Sequence, residues 1–297
     1  MMAKLLNYLL LFPILLLSLL PLKVLYLLSD VTAWFLHKVL RYRYDVALIN
    51  ISRSFPEMKY IEITSLLGKF YKGFTDIFYE SVWSLRISRE RGYKRLEMKN
   101  TEVLKKFRDR GTSVIVMIGH KANWELSNAF HFSETGFAEK DVAVVYKKMS
   151  SSVSENLLKW IRMRNSQIIL IESKEVVRFM FNNSGRQLLY FFIADQNPPP
   201  GSKCITNFLN QPTQMITGPE QLARKFNMPV LYFNIERRSR GNYTAIFEEI
   251  EESPLSSTEG KISTKFAELL ERSIRENPSE WLWTHKRWKK KLTANQV

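Results

Sequence analysis

From Ser113 to Ile250 short apolar runs alternate with amphipathic ones, and this alternation restricts the fold more than any other feature of the sequence. Residues 113–119, 142–146, 167–171, 188–195, 229–235 and 243–250 read as strands, being short and rich in β-branched and aromatic residues. Between and after them, residues 154–165, 174–183, 218–226 and about 258–276 read as helices. The alternation predicts an α/β layered domain with a largely parallel central sheet flanked by helices. Ligand sites in such sheets lie beyond the carboxyl ends of strands. His120 and Asp195 both stand there.

Upstream, a Pro-Glu pair at Pro56 and Glu57 suits a helix start. Ile63, Leu66, Leu67, Phe70, Phe74, Ile77, Phe78, Val82 and Leu85 then recur at three- and four-residue steps. Such a stripe is ordinary core, or in part the wall of an apolar ligand site; periodicity does not separate the two.

The stretch Gly119-His-Lys-Ala-Asn-Trp-Glu-Leu126 combines a strand end with a helix start capped by Asn123. In one continuous helix, His120 and Glu125 would point about 140° apart. A strand-turn-helix instead lets them meet. A neutral imidazole can then take a proton from a hydroxyl while the carboxylate fixes its tautomer. Glu125, in the first helical turn, is kept anionic by the helix dipole. No G-x-S-x-G elbow is present and Cys204 stands alone, so direct attack by an acceptor hydroxyl is expected over a covalent acyl-enzyme. The plainer alternative is a core histidine beside a surface glutamate.

The chain has 297 residues and a net charge of +15, which calls for a polyanionic partner: nucleic acid, an anionic membrane surface, or an acidic substrate or carrier. One cysteine excludes an internal disulfide, and four scattered histidines lack metal-ligand spacing, so no metal or bound cofactor is expected. Leu5 to Leu28 contains a single charge, Lys23. As one helix it would extend about 36 Å, enough to cross a hydrocarbon core of about 30 Å. Pro13 and Pro21 would kink it, leaving an interfacial helix as the alternative and an apolar core helix as a third. Lys38, Arg41 and Arg43 follow it against Lys4 before it, which places the main domain in the cytoplasm. The expected division is residues 1–43 as membrane anchor with its basic flank and 44–297 as the main domain. An anchored basic protein is not expected to bind nucleic acid.

Further charge gathers near the strand ends. Arg162 and Arg164 close one helix, and Asp195 and Gln196 precede three prolines that stiffen a loop. The arginines suit a substrate phosphate, a contact to Glu125 or Asp195, or simple complementation of a helix dipole. The C-terminal Trp281, Trp283 and Trp288 stand among His285 and a basic run, a composition of membrane interfaces and also of single-stranded nucleic-acid sites.

Five ordered blocks carry a more specific signal: NISRSFPE, GHKANWEL, ADQNPPPGS, TGPEQLARKFNMPV and PSEWLWTHKRWK. Together they resemble the late lipid A acyltransferases of Gram-negative bacteria, within the lysophospholipid acyltransferase superfamily, over nearly the whole chain. The resemblance implies an inner-membrane enzyme that moves a fatty acyl group from acyl carrier protein, or coenzyme A, to a hydroxyl of a lipid A precursor. It implies that His120 and Glu125 are the catalytic H-x4-D/E pair and that Arg164 and Asp195 line the site; Asn123 and Gln196, next to these residues in the sequence, are expected at the substrate with them. Where the family usually has an aromatic and a glycine, Lys121 and Ala122 stand here. That leaves open another acceptor, such as a lysophospholipid or aminolipid, and Lys121 is expected in a wet cleft at the substrate. A hydrolase using the same pair, and a membrane-tethered lipid-binding module, are the alternatives of other classes.

Overall fold

Five parallel strands form the centre and one side of the sheet because their residues can be buried on both faces. The computed structural model describes residues 11–86, 94–125, 135–149, 151–163, 166–199 and 201–289. Helices α1 (Leu22–Trp34), α2 (Tyr44–Ser54) and α3 (Tyr60–Ser84) come first. Then follow β1 (Leu96–Lys99), α4 (Glu102–Asp109), β2 (Val114–Ile118), β3 (Val142–Tyr146), α5 (Ser152–Met163), β4 (Ile169–Glu172), α6 (Val176–Asn182) and β5 (Leu189–Ile193). A hairpin of β6 (Ile205–Phe208) and β7 (Gln211–Gln214) leads to α7 (Gly218–Phe226), β8 (Val230–Ser239), β9 (Asn242–Glu251) and α8 (Lys261–Glu276).

The seven-stranded sheet has the order β1-β9-β8-β2-β5-β3-β4, and every pairing is parallel except β8 with β9. The expected α/β fold with a largely parallel sheet is therefore correct. The exception has a local cause: β8 turns directly into β9 at Arg240 and Gly241, where Gly241 takes the left-handed φ of +76°.

Alternate strand residues feed opposite cores. Ile115, Met117, Tyr190, Phe192 and Tyr232 join α3, α7 and α8 on one face. Val116, Ile118, Phe191, Leu231 and Phe233 join Leu104 and Phe107 of α4 on the other. The stripe of α3 divides as its two readings allow. Ile63, Leu66, Leu67 and Phe70 are buried, while Phe78 is 48% exposed.

Of the expected N-terminal membrane helix, residues 5–10 lie outside the described residues, and the remainder does not form one spanning helix. Residues 11–17 are helical, a turn follows, and a new helix starts after Pro21. Proline has no N–H to donate and its ring crowds the preceding turn, so the apolar stretch divides there. Among the described residues no helix is long and apolar enough to cross a membrane. Instead α1 has two opposed stripes. Leu25, Ser29 and Ala33 are buried, while Val24, Leu27, Leu28, Val31 and Trp34 are exposed. The buried stripe is tied to α3 by the Ser29 hydroxyl, which donates to Asp76 at 2.7 Å.

Candidate active site

Strand pairing, rather than sequence proximity, sets the partner of His120. Strands β2 and β5 are neighbours with Ile118 opposite Ile193, and the Ala194 N–H donates to the Ile118 carbonyl at 3.0 Å. Two residues further along each chain, His120 and Asp195 face each other. The Asp195 carboxylate lies 2.6 Å from His120 Nδ1 and accepts the His120 backbone N–H at 2.8 Å. It also accepts the Trp281 indole N–H at 2.8 Å. These contacts outweigh the penalty of burial and hold the Asp195 carboxyl down at about 2, so it stays anionic. An anion there keeps the Nδ1 proton and leaves the lone pair on Nε2. The Gln196 amide nitrogen sits 3.2 Å from that Nε2, where a hydroxyl would otherwise donate.

Glu125 does not make the expected contact with the imidazole. Its carboxylate is forked by Arg162, at 3.0 Å from Nε and 2.6 Å from Nη2, and it accepts the Trp124 indole N–H at 3.2 Å. A bidentate guanidinium holds a carboxylate more firmly than one imidazole does, which explains the difference. Trp124 sits between the two, its ring 5.0 Å from that of His120 and roughly perpendicular to it.

Asn123, expected at the substrate, is fully buried beneath the turn and donates to Glu80 at 2.7 Å. Glu80 also accepts from Tyr243 at 2.6 Å and Tyr26 at 2.9 Å, and burial pushes its carboxyl up. Lys121 is not in a wet cleft. It is 2% exposed, and its ammonium approaches Glu280 at 3.8 Å and Asn234 and the Ile235 carbonyl at 3.4 Å. Burial lowers its pKa. Ala122 has a left-handed φ of +50°, a conformation that favours glycine, and its N–H is taken by the Glu280 carbonyl. Arg164 and the helix expected beyond Glu125 lie outside the described residues.

Two of the C-terminal tryptophans belong to the core rather than to a membrane interface. Trp281 and Trp283 are buried, stacked edge to face with centroids 4.8 Å apart. His285 nearby is kept neutral, burial lowering its pKa to about 4.

An apolar cavity of about 410 Å³ adjoins Trp124 and Glu125, walled by Leu36 of the segment after α1 and by Phe74, Ile77 and Phe78 of α3. That volume is in the range of small-molecule sites. An imidazole paired with a buried carboxylate thus stands at the strand ends of an α/β sheet, and Trp124, which packs against its ring, also lines the apolar cavity. The chain matches the bacterial lipid A biosynthesis acyltransferase family over residues 1–290, and belongs to it. It is therefore an acyltransferase of lipid A biosynthesis. A search of curated proteins found no match.

Proposed function

We propose that the protein is a membrane-surface O-acyltransferase in which His120 Nε2 is the general base. The observation that carries this reading is the short contact between Asp195 and His120 Nδ1, which supplies the tautomer a base at Nε2 requires. The acyl donor is the thioester of acyl carrier protein or coenzyme A, and the acceptor is a hydroxyl of a lipid A precursor. The acceptor hydroxyl displaces the Gln196 amide and gives its proton to Nε2 as its oxygen attacks the thioester carbonyl. Collapse of the tetrahedral intermediate breaks the carbon–sulfur bond, and the departing thiolate takes the proton from the imidazolium. The cavity beside Phe74, Ile77 and Phe78 holds the acyl chain, with Glu125 and Arg162 fixing Trp124 at its mouth.

An acyl-transfer assay with both thioesters, with and without acceptor lipid, tests the reading. Acylated acceptor is the expected product. Free fatty acid as the sole product would instead indicate a hydrolase, and lipid binding without turnover a binding module.

Membrane attachment is part of the proposal, with residues 1–43 facing the inner membrane from the cytoplasmic side and residues 44–297 as the catalytic domain. Its support is the exposed stripe of α1 together with Phe12 and Leu16, an apolar face without a protein partner among the described residues. Replacing Phe12, Leu27, Val31 and Trp34 together by serine should move most of the protein into the soluble fraction. The buried stripe stays intact, so the fold should persist. Unchanged membrane retention in high salt would show that another element is the anchor, since surface charge is screened over about 10 Å at 0.1 M.

A further inference from the structure

A second cleft, of about 670 Å³, opens beyond the ends of β3 and β5 and is lined in part by Asn197. Its lining includes three cations, Lys147, Arg287 and Lys289, and no carboxylate. Lys147 and Lys289 are exposed and form no ion pair among the described residues.

Arg287 is different. It is 4% exposed, yet no carboxylate lies within 4.0 Å of it among the described residues. Its guanidinium is held by neutral groups: Nη2 donates to the Gln214 carbonyl at 2.6 Å and approaches Met215 Sδ at 3.3 Å, and Nη1 reaches Asn197 Oδ1 at 3.4 Å. The Nε–H is buried without a partner. Asp195, the carboxylate that influences it most, is engaged with His120 and Trp281. A buried cation with no ion partner and a free donor is costly to keep unless an anion reaches it. The three-residue segment also couples the cleft to the reacting centre. Asp195 and Gln196 contact the imidazole and Asn197 contacts Arg287, and the α-carbons of Asp195 and Asn197 are at most about 7.6 Å apart.

We propose that this cleft binds a phosphate ester group of a substrate, with Arg287 as the buried anchor and Lys147 and Lys289 at the mouth. The fork of an arginine suits phosphate oxygens better than a single charge would. The inference rests on the acyl-transfer reading for the identity of the substrate, not for the binding itself. The phosphate can come from the acceptor glycolipid or from the pantetheine arm of the donor.

Two measurements on the full chain in detergent test it. In calorimetric titration with inorganic pyrophosphate, the wild type should bind, and Lys147→Ala/Lys289→Ala should bind at least tenfold more weakly. Arg287→Met should abolish binding. This arm does not depend on turnover, so it stands even where the acyl-transfer reading fails. In steady-state kinetics, the same variants should raise KM about tenfold for whichever substrate supplies the phosphate. A rise for the acceptor, lost when the acceptor is dephosphorylated, assigns the cleft to the glycolipid; a rise for the thioester assigns it to the donor. Absence of pyrophosphate binding, or binding equal in the wild type and the double lysine variant, overturns the proposal. That lysine pair is on the surface, so it decides the matter even where Arg287→Met does not fold.

Discussion

Asp195→Asn should lower kcat by roughly three to four orders of magnitude while leaving the fold intact. The amide can still accept from the His120 backbone and from Trp281, so the packing around it survives. Its NH2 group, however, would donate to Nδ1, which moves the imidazole proton to Nε2 and removes the base; loss of this kind costs about 10⁴ in a comparable triad. His120→Ala should cost roughly two to four orders of magnitude. In the proposed mechanism the two residues act as one unit, so the double variant should be little worse than the poorer single one. Glu125→Gln sets the contrast: it disturbs the fork with Arg162 and the wall of the apolar cavity, and its effect should add to that of His120→Ala rather than merge with it. Rate measurements on the full cycle decide between the two carboxylates. Strong coupling of Glu125 to His120, with Asp195→Asn near wild type, would sink the assignment. Asp195 should also contribute no limb to the pH–rate curve above about pH 3, since its pKa of about 2 keeps it ionised throughout the working range.

The difference between these carboxylates shows what the sequence contains and what it does not. Strands of Val, Ile and Phe bounded by turns are local features, and β2, β3, β5, β8 and β9 fall close to where the runs of apolar residues lie. The position of His120 at the end of β2 is local too. Its partner is not. A motif such as H-x4-E draws attention to the residue near in sequence, whereas the sheet order brings β5 beside β2 across more than seventy residues. Only the pairing register makes Asp195 the neighbour. The short hairpin β6–β7 and strand β1 carry little apolar signal, and their residues include Asn207, Gln211 and Gln214 or Glu97 and Lys99, so nothing in the composition announces them. Lys121 shows a different limit of local reading. A lysine next to a catalytic candidate reads as exposed, but the bridge of its backbone to Trp281 turns the side chain inward toward Glu280 and Asn234. The N-terminal segment was legible in hydropathy alone. Hydropathy counts apolar residues without asking which of them α3 buries, and the break at Pro21 divides them.

Asp76→Ala should destabilise the protein by about 3–5 kcal/mol, because it removes the carboxylate from a buried ion cluster and leaves the cations behind. Asp76 is 1% exposed. It accepts from Arg237 Nη1 at 3.0 Å, from Arg240 Nη2 at 2.6 Å and Nε at 3.0 Å, and from the Ser29 hydroxyl. The two arginines belong to the β8–β9 hairpin, Ser29 to α1 and Asp76 to α3, so one carboxylate joins three elements distant in sequence. Arg240 would keep Asp30, which it meets at 3.0 Å through both terminal nitrogens. Arg237 would keep no ion pair among the described residues, and it carries most of the expected loss. The midpoint of thermal unfolding should fall by roughly 6–20 °C, taking about 2–4 °C per kcal/mol for a domain of this size. Asp76→Asn should cost less, since the amide oxygen still accepts one of these bonds. Adding Arg237→Met to Asp76→Ala should restore part of the stability, because it takes away the uncompensated charge. Scanning calorimetry in detergent measures all three, and a fall of under 2 °C for Asp76→Ala would show that the cluster contributes little. The consequence reaches the site through α3. Phe74, Ile77 and Phe78 flank Asp76 on that helix and wall the apolar cavity, while α1, held down by the same carboxylate, presents the exposed apolar face. On the proposed function, loosening this joint should therefore weaken both the seating of an acyl chain and the grip on a lipid surface before the sheet itself is lost.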